Sequence, residues 1–130
     1  MKIIKSLFAF TSVFTMKQCN TQSIINSWPE IEPFNDLMIS SYKSAKKGNF
    51  VPIKNQAETL NENAKKLGVE NMPQKYRLPK NIENLVQLKR ESQSIKDLVE
   101  KNATNEQIFE CLKSIHHTFK KMTDSYNHKN

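Results

Sequence analysis

A chain of 130 residues, 37% hydrophobic and 25% charged, suits one domain with a modest core. Its formal net charge of +7 falls to +4 without residues 1–18, which hold three lysines and no acid and leave 17 basic and 13 acidic side chains. That is an ordinary solubilising charge, which excludes the dense basic footprint of a nucleic-acid binder, and only two cysteines, Cys19 and Cys111, exclude a disulfide scaffold.

The chain opens with Lys2 and Lys5 ahead of an apolar run, Ser6 to Phe14, that is too short to span a bilayer as a helix. A basic segment before an apolar one of this length reads as a secretory signal peptide over residues 1–18. Export to the periplasm, or to the envelope through a lipid anchor, is the expected location. Cys19-Asn20 leaves two readings open. An acylated Cys19 would anchor the chain to the membrane, but Met16, Lys17 and Gln18 stand where lipoprotein signals favour small residues, and no clean Ala-x-Ala site replaces them. Residues 19–32 carry Trp28-Pro29 without periodicity and read as an extended arm whose tryptophan packs on the fold.

The first helix is expected to begin near Pro33, a residue tolerated in an opening turn. Acids at Glu30, Glu32 and Asp36 and bases at Lys46 and Lys47 complement its dipole. Phe34, Leu37, Met38, Tyr42 and Ala45 share a face, and Gly48 ends the helix. Asn49 caps the second helix, with Pro52 in its first turn, and Ile53, Ala57, Leu60, Ala64 and Leu67 step by four and three, the seam of a bundle helix. Residues 69–80, with Met72-Pro73 and Leu78-Pro79, form the longest connection. A third helix starts near Asn81 and presents Ile82, Leu85, Leu88, Ser92, Ile95 and Val99. A capping box, Thr104-Asn105-Glu106-Gln107, opens the fourth, whose stripe is Ile108, Leu112, Ile115, Phe119, Met122 and Tyr126. Four amphipathic segments with short joins inside each pair predict an all-α fold, an antiparallel up-down-up-down four-helix bundle over residues 33–126 with a tail at 127–130.

Signatures of catalysis are missing. The chain has no Gly-rich phosphate loop, nucleophile elbow, Cys-x-x-Cys or Cys-x-x-Cys-His, and its paired carboxylates read as helix-end charges, so an enzyme is not expected. The histidines are more informative. At 100° per residue, His116 lies within roughly 60° of the centre of the apolar stripe of the last helix, His117 points away, and His128 falls in the tail. Bundle proteins place cofactor ligands on facing helices, so His116 and the inward Met38 are the candidate ligands for a haem or a transition metal, with Tyr42, Leu112 and Phe119 as walls. The structural alternative is a half-buried, hydrogen-bonded histidine and a methionine that fills core space. Cys111, at the other edge of the stripe, reads as a small buried hydrophobe.

Two segments carry a resemblance: Phe34-Asn35-Asp36-Leu37-Met38 with Tyr42, Ala45, Gly48-Asn49-Phe50 and Pro52-Ile53-Lys54, and Leu112 to Phe119 with the pair His116-His117. Together they resemble a family of small exported helical proteins of Bacteroidetes and relatives. Its first helix reads Met-x-x-x-Phe-His-Pro-Ala-x-x-Gly-Asn and its last Leu-His-Asp-x-Phe-His. The likeness covers about residues 34–126, and the architecture is more loosely similar to four-helix cytochromes of the c-prime type. The resemblance implies inward histidines holding a metal or haem, with Met38 and His116 retained. It fails at Lys43 and Lys120, where the family has histidines, and at Ser44, where it has a proline. Lysine is a hydrated point charge and a poor ligand unless its pKa is forced down.

Two functions follow as expectations. One is an exported, non-catalytic bundle that binds haem or a transition metal between its first and last helices, through a partly degenerate site. The other is a cofactor-free structural or interaction protein that docks to an envelope protein. A gap beside His116 in the interior favours the first, and a dry, filled interior the second.

Overall fold

Apolar residues spaced three and four apart build four long helices in the computed structural model: α1 Ile31–Lys46, α2 Val51–Lys65, α3 Pro79–Glu100 and α4 Asn105–Lys129. The structure describes residues 24–129, with side chains as far as Asp124. The signal segment 1–18, Cys19, and the side chains of Tyr126 and His128 lie outside the described residues. Among the described residues every regular element is helical, and no helix is long and apolar enough to cross a membrane.

The ends of these helices follow from local chemistry. Gly48, at φ +91°, closes α1: its N–H donates to the Ala45 carbonyl and the Asn49 N–H to the Ser44 carbonyl, a Schellman pair that satisfies two end carbonyls. α3 ends the same way at a non-glycine residue. Asn102 sits at φ +57°, its N–H donates to the Val99 carbonyl, and the Ala103 N–H donates to the Leu98 carbonyl. Asparagine tolerates this left-handed conformation better than most residues. The predicted box opens α4: Thr104 Oγ1 accepts from the Gln107 N–H at 3.1 Å, and Gln107 Oε1 accepts from the Thr104 N–H at 3.1 Å. Asn49 Oδ1 accepts from the Val51 N–H at 3.2 Å, so it supports the start of α2 from one residue outside the cap, which is Phe50.

The helices pack as a bundle-like layer around one core, with α1 against α2 and α4, and α3 against α2 and α4. All five seam positions read for α2 are buried, as are Ile108, Leu112, Ile115, Phe119 and Met122 on α4. Each large side chain so buried contributes roughly 2 kcal/mol. On α1 the buried line runs through Phe34, Met38, Ser41 and Ala45, which leaves Tyr42 at its edge, half-buried.

The stretch read as an extended arm is different. Residues 24–27 are helical, and α1 starts at Ile31, two residues before Pro33. Ile24, Trp28 and Ile31 are buried. The Trp28 indole N–H donates to Asn71 Oδ1 at 2.9 Å. Asn71 also accepts from the Gly68 N–H and donates to the Lys66 carbonyl, so one amide joins the N-terminal segment to the turn after α2. Apolar periodicity cannot show this contact, because its register is set by a partner 43 residues away. The connection after α2 holds two single turns, Val69–Asn71 and Gln74–Tyr76, and buries Met72 and Tyr76 against the core. α3 starts at Pro79 rather than Asn81, whose side chain instead donates to the Tyr76 carbonyl at 2.9 Å.

Candidate functional site

Phe109 and His116 lie seven residues apart on α4, two helical turns or about 10.5 Å of rise. The Tyr42 ring from α1 stands 5.9 Å from Phe109 at 3° and 4.5 Å from His116 at 8°. Those two separations fill the rise between the α4 rings, so Tyr42 is inserted between them in a three-layer stack. Phe50, at the cap of α2, meets Phe109 edge-on at 6.4 Å and 79°. Ring pairs in these geometries contribute beyond their buried area. Lys46 Nζ lies 5.8 Å from the Tyr42 ring centre and Lys113 Nζ 5.6 Å from that of Phe109, both within cation–π range.

An open cleft of about 430 Å³ borders this stack, lined by Tyr42, Glu110, Lys113, Ser114, His116, His117 and Lys120. Glu110 pairs with Lys113 at 3.2 Å. Burial lowers the His116 pKa below its ordinary value, and the charges of Lys120, His117 and Lys46 lower it further. Cationic groups of two helices therefore converge on one imidazole.

Behind α4, on the side facing α3, lies a second polar cluster. Glu91 is buried, and its Oε2 accepts from the Ser114 hydroxyl at 2.5 Å and from the Gln87 amide at 3.0 Å. The Cys111 thiol donates to the Glu91 carbonyl at 3.5 Å. Burial and the nearby Glu91 charge push the Cys111 pKa up to about 11, so this thiol is a poor nucleophile. Cys111 is half-buried rather than fully enclosed.

The expected site residues separate into two environments. Tyr42 and His116 meet directly, at the rim of the α1–α4 seam. Met38 and Leu112 are sealed in the core, and Phe119 packs on Phe34 with ring centres 5.9 Å apart. A haem held by Met38 and His116 needs a slot through this interior. The Phe34–Phe119 contact fills the space between α1 and α4, and the cleft at His116 opens outward, so these residues do not fit the group. Among the described residues no three His, Cys, Asp or Glu side chains gather where they could hold a metal ion. Met38 and His116 alone offer one thioether and one imidazole, too few donors for a closed site.

Phe109, Phe50 and Lys46 escaped the sequence reading as site residues. The available signal was the seven-residue spacing of Phe109 and His116, which puts two rings on one line of α4. Compared with protein-family models, curated proteins and solved structures, the chain matches none of them.

Proposed function

We propose that this chain is an exported, non-catalytic interaction protein, an antiparallel up-down-up-down four-helix bundle that docks to an envelope protein through the α1–α4 face around Tyr42 and His116. Residue pairings support the helix directions. Phe34 pairs with Phe119 while Tyr42, further along α1, pairs with the earlier Phe109. Asn61 donates to Gln93 and Lys89 donates to the Leu67 carbonyl, so α2 and α3 also run in opposed order. Periplasmic location, with or without a lipid on Cys19, rests on the sequence of residues 1–19.

The observation that carries the reading is the stack itself. It puts aromatic surface and cationic side chains at a rim open to solvent, while the interior beside it is filled by Phe34 and Phe119. Aromatic residues bearing a polar edge are the common anchors of protein interfaces. The resemblance to exported helical proteins of Bacteroidetes supports a bundle whose ancestral ligand set has decayed at Lys43 and Lys120, leaving its outer face for use.

Site-specific photo-cross-linking in intact cells tests this reading. His117→p-benzoylphenylalanine in the full chain is expected to give a discrete adduct that weakens with Tyr42→Ala, whereas the same replacement at Lys54 gives none. Equal adduct patterns at both positions would sink it. The cofactor alternative, haem or a transition metal held by Met38 and His116, requires α1 and α4 to part at Phe34–Phe119. Stoichiometric haem or metal uptake abolished by both Met38→Ala and His116→Ala would make that alternative primary.

A further inference from the structure

Building on the docking face proposed above, we infer that the α1–α4 cleft binds an acidic, extended peptide segment of its partner, with carboxylates at Lys46 and Lys120 and an apolar side chain on the His116–Tyr42 rings. Charge is the first argument. The cleft presents Lys113, Lys120 and His117, and Lys46 joins them over the Tyr42 ring. Its acid is Glu110, which Lys113 already pairs. Lys120 has no carboxylate in the lining besides the paired Glu110, and after burial the field of Lys120 and Lys46 disfavours a further proton on His116. A bound carboxylate relieves that repulsion.

Shape is the second argument. From Phe109 to Lys120 the rim follows eleven residues of α4, roughly 16 Å. That length matches about five residues of extended chain. The cleft is open along its side, which suits a strand-like peptide laid on a surface better than an enclosed small molecule. Aromatic rings beneath supply the apolar contact, and the lysines at its edges supply register and attraction that salt weakens.

The test is a fluorescence-anisotropy titration of the full chain with a labelled peptide, Glu-Asp-Phe-Glu-Asp, and with its uncharged counterpart, Gln-Asn-Phe-Gln-Asn. The acidic peptide should bind saturably at low salt, at least tenfold tighter than the neutral one. Lys46→Gln with Lys120→Gln should weaken it at least fivefold. Lys54→Gln with Lys65→Gln, which removes the same charge from exposed positions on α2, should change it less than twofold. Equal losses in the two double variants would mean diffuse attraction to a basic protein and overturn the inference. So would binding to phosphatidylglycerol vesicles that depends on Lys46 and Lys120 in the absence of peptide binding, which assigns the face to a membrane. Concentration-dependent self-association that the same pair of substitutions abolishes, again without peptide binding, overturns it in favour of a second copy. A cross-link at position 117 alongside no peptide binding refutes the acidic segment alone, whereas failure of both refutes the docking face as well.

Discussion

His116 shows how a single side chain acquires its properties from neighbours on two helices. Its pKa in the folded chain lies below the ordinary 6.5, because burial and then Lys120, His117 and Lys46 oppose its charge. As pH falls, the unfolded chain takes up this proton first. The contribution of His116 to stability is therefore present above pH 6.5 and is lost as pH falls through the folded pKa. Urea unfolding of the wild-type chain against His116→Gln should show a difference that is flat above pH 7 and moves against the wild type below 6.5. A difference constant from pH 7.5 to 5 would contradict the stacked, cation-flanked imidazole. Cys111 gives a second reading at this scale. A pKa of about 11 instead of 9.0 leaves about a hundredfold less thiolate at neutral pH. Iodoacetamide at pH 8, with Cys111 separated from Cys19 by peptide mapping, should thus modify Cys111 far more slowly in the native chain than in guanidinium. Comparable rates would mean that Cys111 is not held against Glu91.

At the scale of elements, the joins are built from caps rather than from long loops. Gly48 adopts φ +91° with open space around its missing side chain, so the obstacle to a larger residue is backbone conformation, not crowding. Gly48→Ala should lower stability by about 1 kcal/mol, measured by urea titration, while leaving the helix content of the folded chain unchanged. A neutral effect would mean that the turn can relax out of the left-handed region. Thr104 and Gln107 make the corresponding device at the start of α4, and both of their reciprocal bonds are formed. These short, defined joins keep the C-terminal part of α1 beside the N-terminal part of α4, which is the condition for inserting Tyr42 between Phe109 and His116.

For the molecule as a whole, the segment before α1 is an integral part of the packing. Trp28 is fully buried and hydrogen-bonded to Asn71, and it covers the core near the connection between α2 and α3 together with Met72 and Tyr76. Trp28→Ala should cost about 4 kcal/mol, a large share of the stability of a domain of this size. Loss of less than about 1 kcal/mol in a urea titration would show that the segment is not docked in solution.

The four helices, their approximate limits, the buried seams of α2 and α4 and the capping box at Thr104 are legible along the chain, because each depends on neighbours within four residues. Helical periodicity puts Tyr42 on the inner face of α1 and His116 within roughly 60° of the centre of the α4 stripe, whereas both are half-buried at the rim. Packing between elements alone sets Tyr42 between Phe109 and His116, joins Trp28 to Asn71 and buries Glu91 against Ser114. Each of these joins residues of different elements, and local periodicity contains no term for which side chain faces which across a seam. Met38 and His116 read as paired candidate ligands for the same reason. A helical wheel gives an angle about one axis, whereas packing depth depends on the partner helix, which encloses Met38 and leaves His116 at the rim.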